Sequence, residues 1–119
     1  MQCIAAKEQT REVATEVTVI NKFAISPEAI DAFLAEFRAH RDLLAAQPGF
    51  LDGALYRKVD GPGRFTIVNL ARWGSVEALR SARDALVRAY AARGEDPSSA
   101  YRRLGVEADL ATYQALESY

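Results

Sequence analysis

The segment 65–73, FTIVNLARW, constrains the fold of this chain more than any other stretch. It is rich in β-branched and aromatic residues, and it is long enough to cross a sheet, so it predicts a strand. Both alternating sets of side chains are largely apolar, which is typical of a central strand covered on both faces. Asn69 and Trp73 fall on one face, about 13 Å apart at roughly 3.3 Å per residue. Asn69 is therefore predicted to be a buried amide.

A helix is predicted directly after this strand. Gly74 ends the strand, and Ser75 is suited to cap the helix. The predicted buried stripe consists of the apolar residues at helical spacing, which are Val76, Leu79, Leu86, Val87 and Tyr90. The helix is expected to end near Gly94.

A similar strand and helix open the chain. Residues 17–25, VTVINKFAI, predict a strand in which Asn21 lies among apolar neighbours. Ser26, Pro27 and an acidic residue then indicate a capped helix start. The predicted buried stripe of this helix is Ile30, Phe33, Leu34, Phe37 and Leu44. His40 is expected at the border of that stripe, as a solvated rim residue, and the helix is expected to end at the Pro-Gly pair 48–49.

The middle of the chain predicts a hairpin. Residues 50–59 form a less regular strand, with Gly53 as a possible bulge. One face of this strand is predicted to carry Phe50, Asp52, Ala54, Tyr56 and Lys58. The sequence DGPG at 60–63 is a strong turn signal, so residues 50–59 should pair with residues 65–73.

The end of the chain is ambiguous. Residues 96–104 predict a short helical turn that stops at Gly105. Residues 106–112 alternate as a strand does, although Leu110, Tyr113 and Leu116 also fit a helix. We favour a strand, because the resulting order βαββαβ is the ferredoxin-like α+β fold.

This topology predicts one helix-covered face and one open face. The first and third strands become central neighbours, which places Asn21, Asn69 and Trp73 under the helices, with Phe33 and Phe37 above them. The opposite face has no remaining helix to cover it, and it carries Thr18, Ile20, Val68 and Leu70. A second copy of the same sheet is the simplest cover, so we expect a homodimer.

Length and composition set further bounds. The 119 residues are expected to form a single domain over 17–119, preceded by an N-terminal extension over 1–16. The net charge of −1 gives no reason to expect nucleic acid as a partner. Cys3 is the single cysteine, and no cysteine and histidine pattern indicates a metal site. Without a signal peptide or a long apolar run, we expect a cytoplasmic protein with no membrane partner.

The runs PGFLDGALY and FTIVNLARWGSVEALR resemble the antibiotic biosynthesis monooxygenase family, small dimeric α/β barrels, over about residues 17–86. The resemblance is strongest to the branch that oxidises anthrones and related phenols to quinones with molecular oxygen and no metal or organic cofactor. It implies that Asn69 and Trp73 line a substrate cavity between sheet and helices. It also implies a small aromatic substrate, with O2 as co-substrate.

The sequence departs from that family at several polar positions. Tyr56 stands where the quinone-forming branch carries a cavity histidine, and Leu79 stands where it carries a tyrosine. The haem-degrading branch shares the first-strand asparagine, here Asn21. It also needs a tryptophan and an axial histidine in the second helix, where this chain has Ala82 and Ala92. These departures argue against haem degradation.

Together these observations predict catalytic roles for three residues. Cofactor-free oxygenation needs a substrate phenolate held in a water-excluding pocket. Asn69 is expected to donate its amide hydrogen to the substrate oxygen, and Trp73 its indole N–H while stacking on the ring. Tyr56 is a candidate acid or proton relay. The substrate-binding candidates are Asn21, Phe33, Phe37 and Leu79.

Other interpretations stay open from the sequence alone. A strand asparagine can simply bond to the main chain, and both Trp73 and Tyr56 can be packing residues. The four arginines of the second helix region, Arg80, Arg83, Arg88 and Arg93, fit a solvated face, although one could close the mouth of the cavity. The whole chain could be a non-catalytic small-molecule-binding or cyclase-like protein, or it could act on a general quinol or a reactive aldehyde.

Overall fold

Four strands and three α-helices make up the protein in a computed structural model that describes residues 15–119. The strands are β1 (Val17–Ala24), β2 (Phe50–Arg57), β3 (Ile67–Trp73) and β4 (Glu107–Tyr113). The helices are α1 (Ile30–Ala45), α2 (Val76–Ala91) and α3 (Ser99–Arg103), and a 3-10 turn over Pro27–Ala29 precedes α1. The first 14 residues of the predicted N-terminal extension lie outside the described part, so its boundary at residue 16 stays a prediction.

The four strands form one antiparallel sheet in the order β2-β3-β1-β4. The predicted ferredoxin-like α+β fold is therefore confirmed, with the first and third strands as central neighbours. The ambiguous C-terminal segment is a strand, β4, which pairs with β1 along its full length. The pairing of β1 with β3 sets Asn21 directly opposite Asn69, and Val17 opposite Trp73.

The two long helices begin differently. Ser75 caps α2 as predicted, because its Oγ accepts a hydrogen bond from the Ala78 main-chain N–H at 3.1 Å. Ser26 was predicted to cap α1, and that prediction is wrong: its side chain makes no cap hydrogen bond. The 3-10 turn Pro27–Ala29 follows Ser26 instead, so α1 proper begins at Ile30.

A β-bulge divides β2 and overturns its predicted face pattern. Phe50 pairs with Trp73 but Asp52 pairs with Arg72, which leaves one extra residue between Phe50 and Asp52. Such an insertion exchanges the two faces of a strand beyond it. Phe50 therefore lies on the helix-covered face, whereas Tyr56, which was predicted to share that face, lies on the open one.

The apolar core lies between the sheet and the helices, in two adjoining clusters. One consists of Val17, Val19, Trp73, Leu79 and Ala82, and the other of Phe23, Phe33, Phe37 and Ile67. Two predictions about the helices are wrong. Val87 is 51% exposed, because it falls outside the stripe that α2 buries. His40 is only 7% exposed, because the rings of Tyr90 and Tyr101 cover it at 5.0 and 5.1 Å between centroids.

The opposite face of the sheet is open, as the topology predicted. Thr18, Ile20, Val68 and Leu70 share it, and within residues 15–119 all the long helices pack on the other side. Arg72 lies on this open face and binds two carboxylates, with Nη2 at 2.7 Å from Asp52 Oδ2 and Nη1 at 2.8 Å from Glu16 Oε2. None of the helices between residues 15 and 119 has the length and apolarity to cross a bilayer.

Candidate functional site

A cavity of about 940 Å³ lies between the helix-covered face of the sheet and the helices. Its size falls within the range of roughly 300–1,000 Å³ that is usual for sites binding drug-sized ligands. The sheet side of the wall includes Val19, Asn21, Gly53, Leu55, Asn69, Ala71, Trp73 and Leu110. The helix side includes Phe37, His40, Leu44, Leu79, Arg83, Leu86 and Tyr101. The wall is mostly apolar, with a few polar groups that converge on it.

Two asparagines form the polar centre of the sheet side. Asn21 and Asn69 are a directly opposed cross-strand pair, a position that usually sets Cβ atoms about 4.5–5.5 Å apart. The Oδ1 atom of Asn21 is buried and has no hydrogen-bond partner. Among the hydrogen bonds between residues 15 and 119, none uses the Asn69 side chain. The described residues therefore show no hydrogen bond from either amide to the main chain, which was the alternative left open by the sequence.

Trp73 lines the cavity and also belongs to the core. It is 1% exposed, and its ring meets Phe50 edge-on at 5.3 Å between centroids. Leu79 lies beside it in the same cluster and lines the cavity wall. Trp73 is therefore a packing residue of the core, and it also lies at the cavity wall as predicted.

Of the remaining predicted site residues, some line the cavity and others do not. Phe37 lines the cavity, whereas Phe33 is completely buried and stacks behind it at 6.1 Å between ring centroids. Tyr56 lies opposite Val68 on the open face and is 54% exposed, so the structure does not bring it together with Asn69 and Trp73.

Basic side chains line the cavity without acidic ones. Arg41, Arg83 and Arg102 contribute to its wall, and no aspartate or glutamate of the described chain does. Arg41 and Arg102 are each paired with a nearby aspartate. Arg83 Nη2 instead donates to the hydroxyl of Thr112 at 3.5 Å. Burial lowers the pKa of Arg83, yet a guanidinium stays protonated at neutral pH. Arg83 therefore gives the cavity wall a positive charge that no nearby carboxylate of the described chain balances. The sequence analysis had left open that one arginine of the α2 region lies at the cavity mouth.

A polar cluster on the helix side was missed by the sequence analysis. The Tyr101 hydroxyl lies 3.3 Å from His40 Nδ1, and His40 Nε2 lies 3.8 Å from Glu36 Oε1. The Tyr90 hydroxyl donates to the same Glu36 oxygen at 3.3 Å. His40 follows Phe37 by three residues and Phe33 by seven, so helical spacing alone could have placed it in the buried stripe. Tyr101 carries no comparable sequence signal.

Burial controls the ionisation of this cluster. It lowers the pKa of His40, an effect that the nearby Glu36 carboxylate opposes and Arg93 reinforces. It raises the pKa of Tyr101, and Glu36 and Tyr90 act in the same direction. Both side chains are therefore neutral near pH 7.

These features define a class of protein: a ferredoxin-like α+β domain with an apolar, amide-bearing cavity between its sheet and helices. The chain belongs to the antibiotic biosynthesis monooxygenase family, whose sequence pattern matches residues 16–93. It is similar to SnoaB, a cofactor-independent oxygenase from Streptomyces nogalater, with 27% identity and a TM-score of 0.69. That similarity covers 88% of this chain and 97% of SnoaB.

More distant structures share the fold. Rv0793 from Mycobacterium tuberculosis is 24% identical with a TM-score of 0.60, over 87% of this chain and 98% of that one. An R26S mutant of MhuD, solved with two manganese protoporphyrin IX molecules per active site, is 22% identical with a TM-score of 0.64, over 87% and 97% of the two chains. Among curated proteins, none matches this sequence.

Proposed function

We propose that this protein is a cofactor-independent monooxygenase that oxidises a phenolic polycycle of the anthrone or hydroquinone type to a quinone. In the anthrone case one atom of O2 becomes the new carbonyl oxygen and the other leaves as water. A hydroquinone instead gives two electrons and two protons to O2, which leaves as hydrogen peroxide. In both cases the substrate itself supplies the electrons. The observation that carries the proposal is the opposed pair of amides, Asn21 and Asn69, without protein partners on an apolar cavity wall. Both asparagines are partly buried, and a buried, unpartnered atom such as Asn21 Oδ1 is costly unless a ligand or water satisfies it.

The chemistry follows from the wall of the cavity. A phenol reduces O2 readily only as its electron-rich phenolate, so the site must favour that anion. In this proposal the amide N–H groups of Asn69 and Asn21 donate to the phenolate oxygen, and the charge of Arg83 lowers the energy of the anion. Apolar side chains such as Phe37 and Leu79 keep bulk water from reactive intermediates. Trp73 provides a flat aromatic wall for the ring system.

Haem fits the described residues poorly as an alternative cofactor. His40 is the single histidine of the chain, so it is the single candidate for an imidazole ligand to iron. Its Nδ1 is held by the Tyr101 hydroxyl, and its Nε2 is buried near Glu36. The SnoaB similarity also favours a reaction without a cofactor, since SnoaB is a cofactor-independent oxygenase.

A haemin titration is therefore expected to show no saturable one-to-one site. The Soret band should grow in proportion to added haemin, as it does for non-specific association, and His40→Ala should give the same curve. A tight site with one-to-one stoichiometry that is lost in His40→Ala would contradict this expectation and would favour a haem protein.

The proposed activity is tested by oxygen uptake with 1,8-dihydroxyanthrone in the presence of EDTA, without added flavin or nicotinamide. We expect enzyme-dependent uptake above the autoxidation rate measured with heat-denatured protein. With ¹⁸O2, one labelled atom is expected in the quinone product. If a panel of anthrones and hydroquinones shows no such uptake, the non-catalytic binding or cyclase-like interpretation becomes the better one.

We also propose that two copies of the chain associate through the open sheet face. The support is that Ile20, Val68 and Leu70 form an apolar strip there that no helix of residues 15–119 covers. Burial of such a strip against a second sheet is the arrangement that a ferredoxin-like domain with one bare face favours.

A further inference from the structure

We propose that Tyr101 and His40 form a proton relay that serves the cavity: Tyr101 receives the phenolic proton of the bound substrate and passes its own proton to His40. The inference rests on the proposed function, because it requires a phenolic ligand in the cavity. Tyr101 lies in α3, beyond the residues 16–93 that carry the family pattern.

Tyr101 is fixed at the cavity by aromatic packing. It lines the cavity wall, and its ring packs against Phe33 at 5.4 Å and Phe23 at 6.0 Å between centroids. Its hydroxyl lies 3.3 Å from His40 Nδ1. The imidazole is thus the protein partner of the hydroxyl, and the relay assigns a ligand in the cavity as its second partner.

His40 is placed to receive the transferred proton, because the Glu36 carboxylate stabilises its charged form against the effect of burial. When Nδ1 accepts the Tyr101 O–H, the neutral imidazole carries its hydrogen on Nε2, the nitrogen 3.8 Å from Glu36 Oε1. A second proton on Nδ1 then produces an imidazolium next to that carboxylate. The charged and titratable groups that face His40 are Glu36 on its own helix, Tyr90 and Arg93 from the α2 side, and Tyr101 from α3.

The step is balanced without an oxidant or reductant. The substrate O–H bond breaks, and its proton forms a new O–H bond on Tyr101. The former Tyr101 O–H bond breaks, and its proton forms an N–H bond at His40 Nδ1. A neutral phenol and a neutral imidazole become a phenolate and an imidazolium, so the electrons that later reduce O2 remain on the substrate.

The relay requires His40 to be neutral beforehand. Burial lowers the pKa of His40 below its ordinary value, so the acceptor form predominates at neutral pH. The raised pKa of Tyr101 keeps its hydroxyl protonated, as a relay needs. As the pH falls through the pKa of His40, the imidazole becomes protonated by the solvent. It can then no longer accept a proton from Tyr101, so the ionised fraction of the substrate decreases.

The test uses 2-hydroxyanthraquinone, a phenol that ionises but is already at the quinone level. Its phenolate absorption is followed on the full-length protein from about pH 5 to pH 9. We expect the wild type to lower the apparent pKa of the bound probe by about one unit or more. Tyr101→Phe and His40→Gln should each return it toward the value in free solution, with the affinity for the neutral probe little changed. Tyr119→Phe removes one hydroxyl from a fully exposed tyrosine and should behave as wild type.

Kinetics provide the second readout. For an active wild type, Tyr101→Phe should lower kcat by about 100-fold or more with KM little changed, and it should remove the acid limb of the pH profile. Wild-type apparent pKa values in both variants would overturn the relay, as would a wild type that fails to bind or ionise the probe. Tyr101→Phe keeps the ring packing, so it decides the question even if His40→Gln does not fold. Probe ionisation that depends on both residues in a protein without oxygen uptake would retain the relay and reject the proposed oxygenase.

Discussion

Replacing Asn69 by alanine is expected to lower kcat by about 10- to 1,000-fold, the range for loss of one preorganised donor to a developing oxyanion. Asn69 lies on a central strand, opposite Asn21, and no hydrogen bond among residues 15–119 engages its side chain. Its amide is therefore free to bind the substrate oxygen at no cost to the fold. The measurement is steady-state oxygen uptake with an anthrone, together with a thermal unfolding curve.

Three further variants separate donation from packing. Gln47→Ala removes an amide whose bond to the Leu43 main-chain oxygen lies outside the cavity, so kcat should not change. Trp73→Phe keeps an aromatic ring and loses the indole N–H. If Trp73→Phe and Trp73→Ala lower kcat equally, Trp73 acts as a hydrogen-bond donor. If Trp73→Phe lowers kcat less, Trp73 acts mainly by packing. If Asn69→Ala and Trp73→Ala both fold and turn over at the wild-type rate, the assignment of this site is wrong.

Val68→Lys is expected to convert a homodimer into a monomer. Val68 lies on the open face directly opposite Lys22, so the new charge meets another cation rather than a carboxylate. A twofold interface receives the substitution twice, and an unpaired buried charge costs about 3–5 kcal/mol. The dimer dissociation constant should therefore rise by at least about 100-fold. Analytical ultracentrifugation or light scattering over a concentration series measures it.

The control for this substitution is Val59→Lys. Val59 is 96% exposed in the turn region after β2, so the same chemical change there should leave the oligomeric state unaltered. A wild type that is monomeric at micromolar concentration, or a Val68→Lys variant that remains dimeric, would show that this face is not the interface.

Most of the fold followed from local sequence patterns. The alternation around Asn69, the cap at Ser75 and the turn at 60–63 are short-range signals, and each corresponds to an element of the structure. The ambiguous segment after Gly105 was resolved by topology rather than by its own pattern. The start of α1 was misplaced because a serine followed by proline is compatible with both an α-helix and a 3-10 turn.

The candidate site was harder to predict from the sequence than the fold, for two physical reasons. Side-chain direction along a strand depends on every preceding residue, so the single insertion after Phe50 moved Tyr56 to the opposite face. Long-range contacts leave little trace in sequence, and the pairing of Tyr101 with His40 joins residues 61 positions apart. His40 was assigned to the solvent because imidazole is polar, whereas aromatic neighbours on two other helices bury it.

Gly53 gives the cavity a shape that side-chain chemistry alone does not explain. It pairs with Ala71, between the Phe50 and Trp73 pair on one side and the Leu55 and Asn69 pair on the other. A Cβ added at Gly53 would lie 2.8 Å from the Leu70 main-chain oxygen, so the two strands are too close there for a larger residue. At this position the cavity wall therefore carries no side chain larger than the Ala71 methyl group, and the Phe50 and Trp73 rings lie next to it. A flat ring system could approach the main chain more closely there than beside the neighbouring side chains, so selection for planar ligands would arise from the main chain.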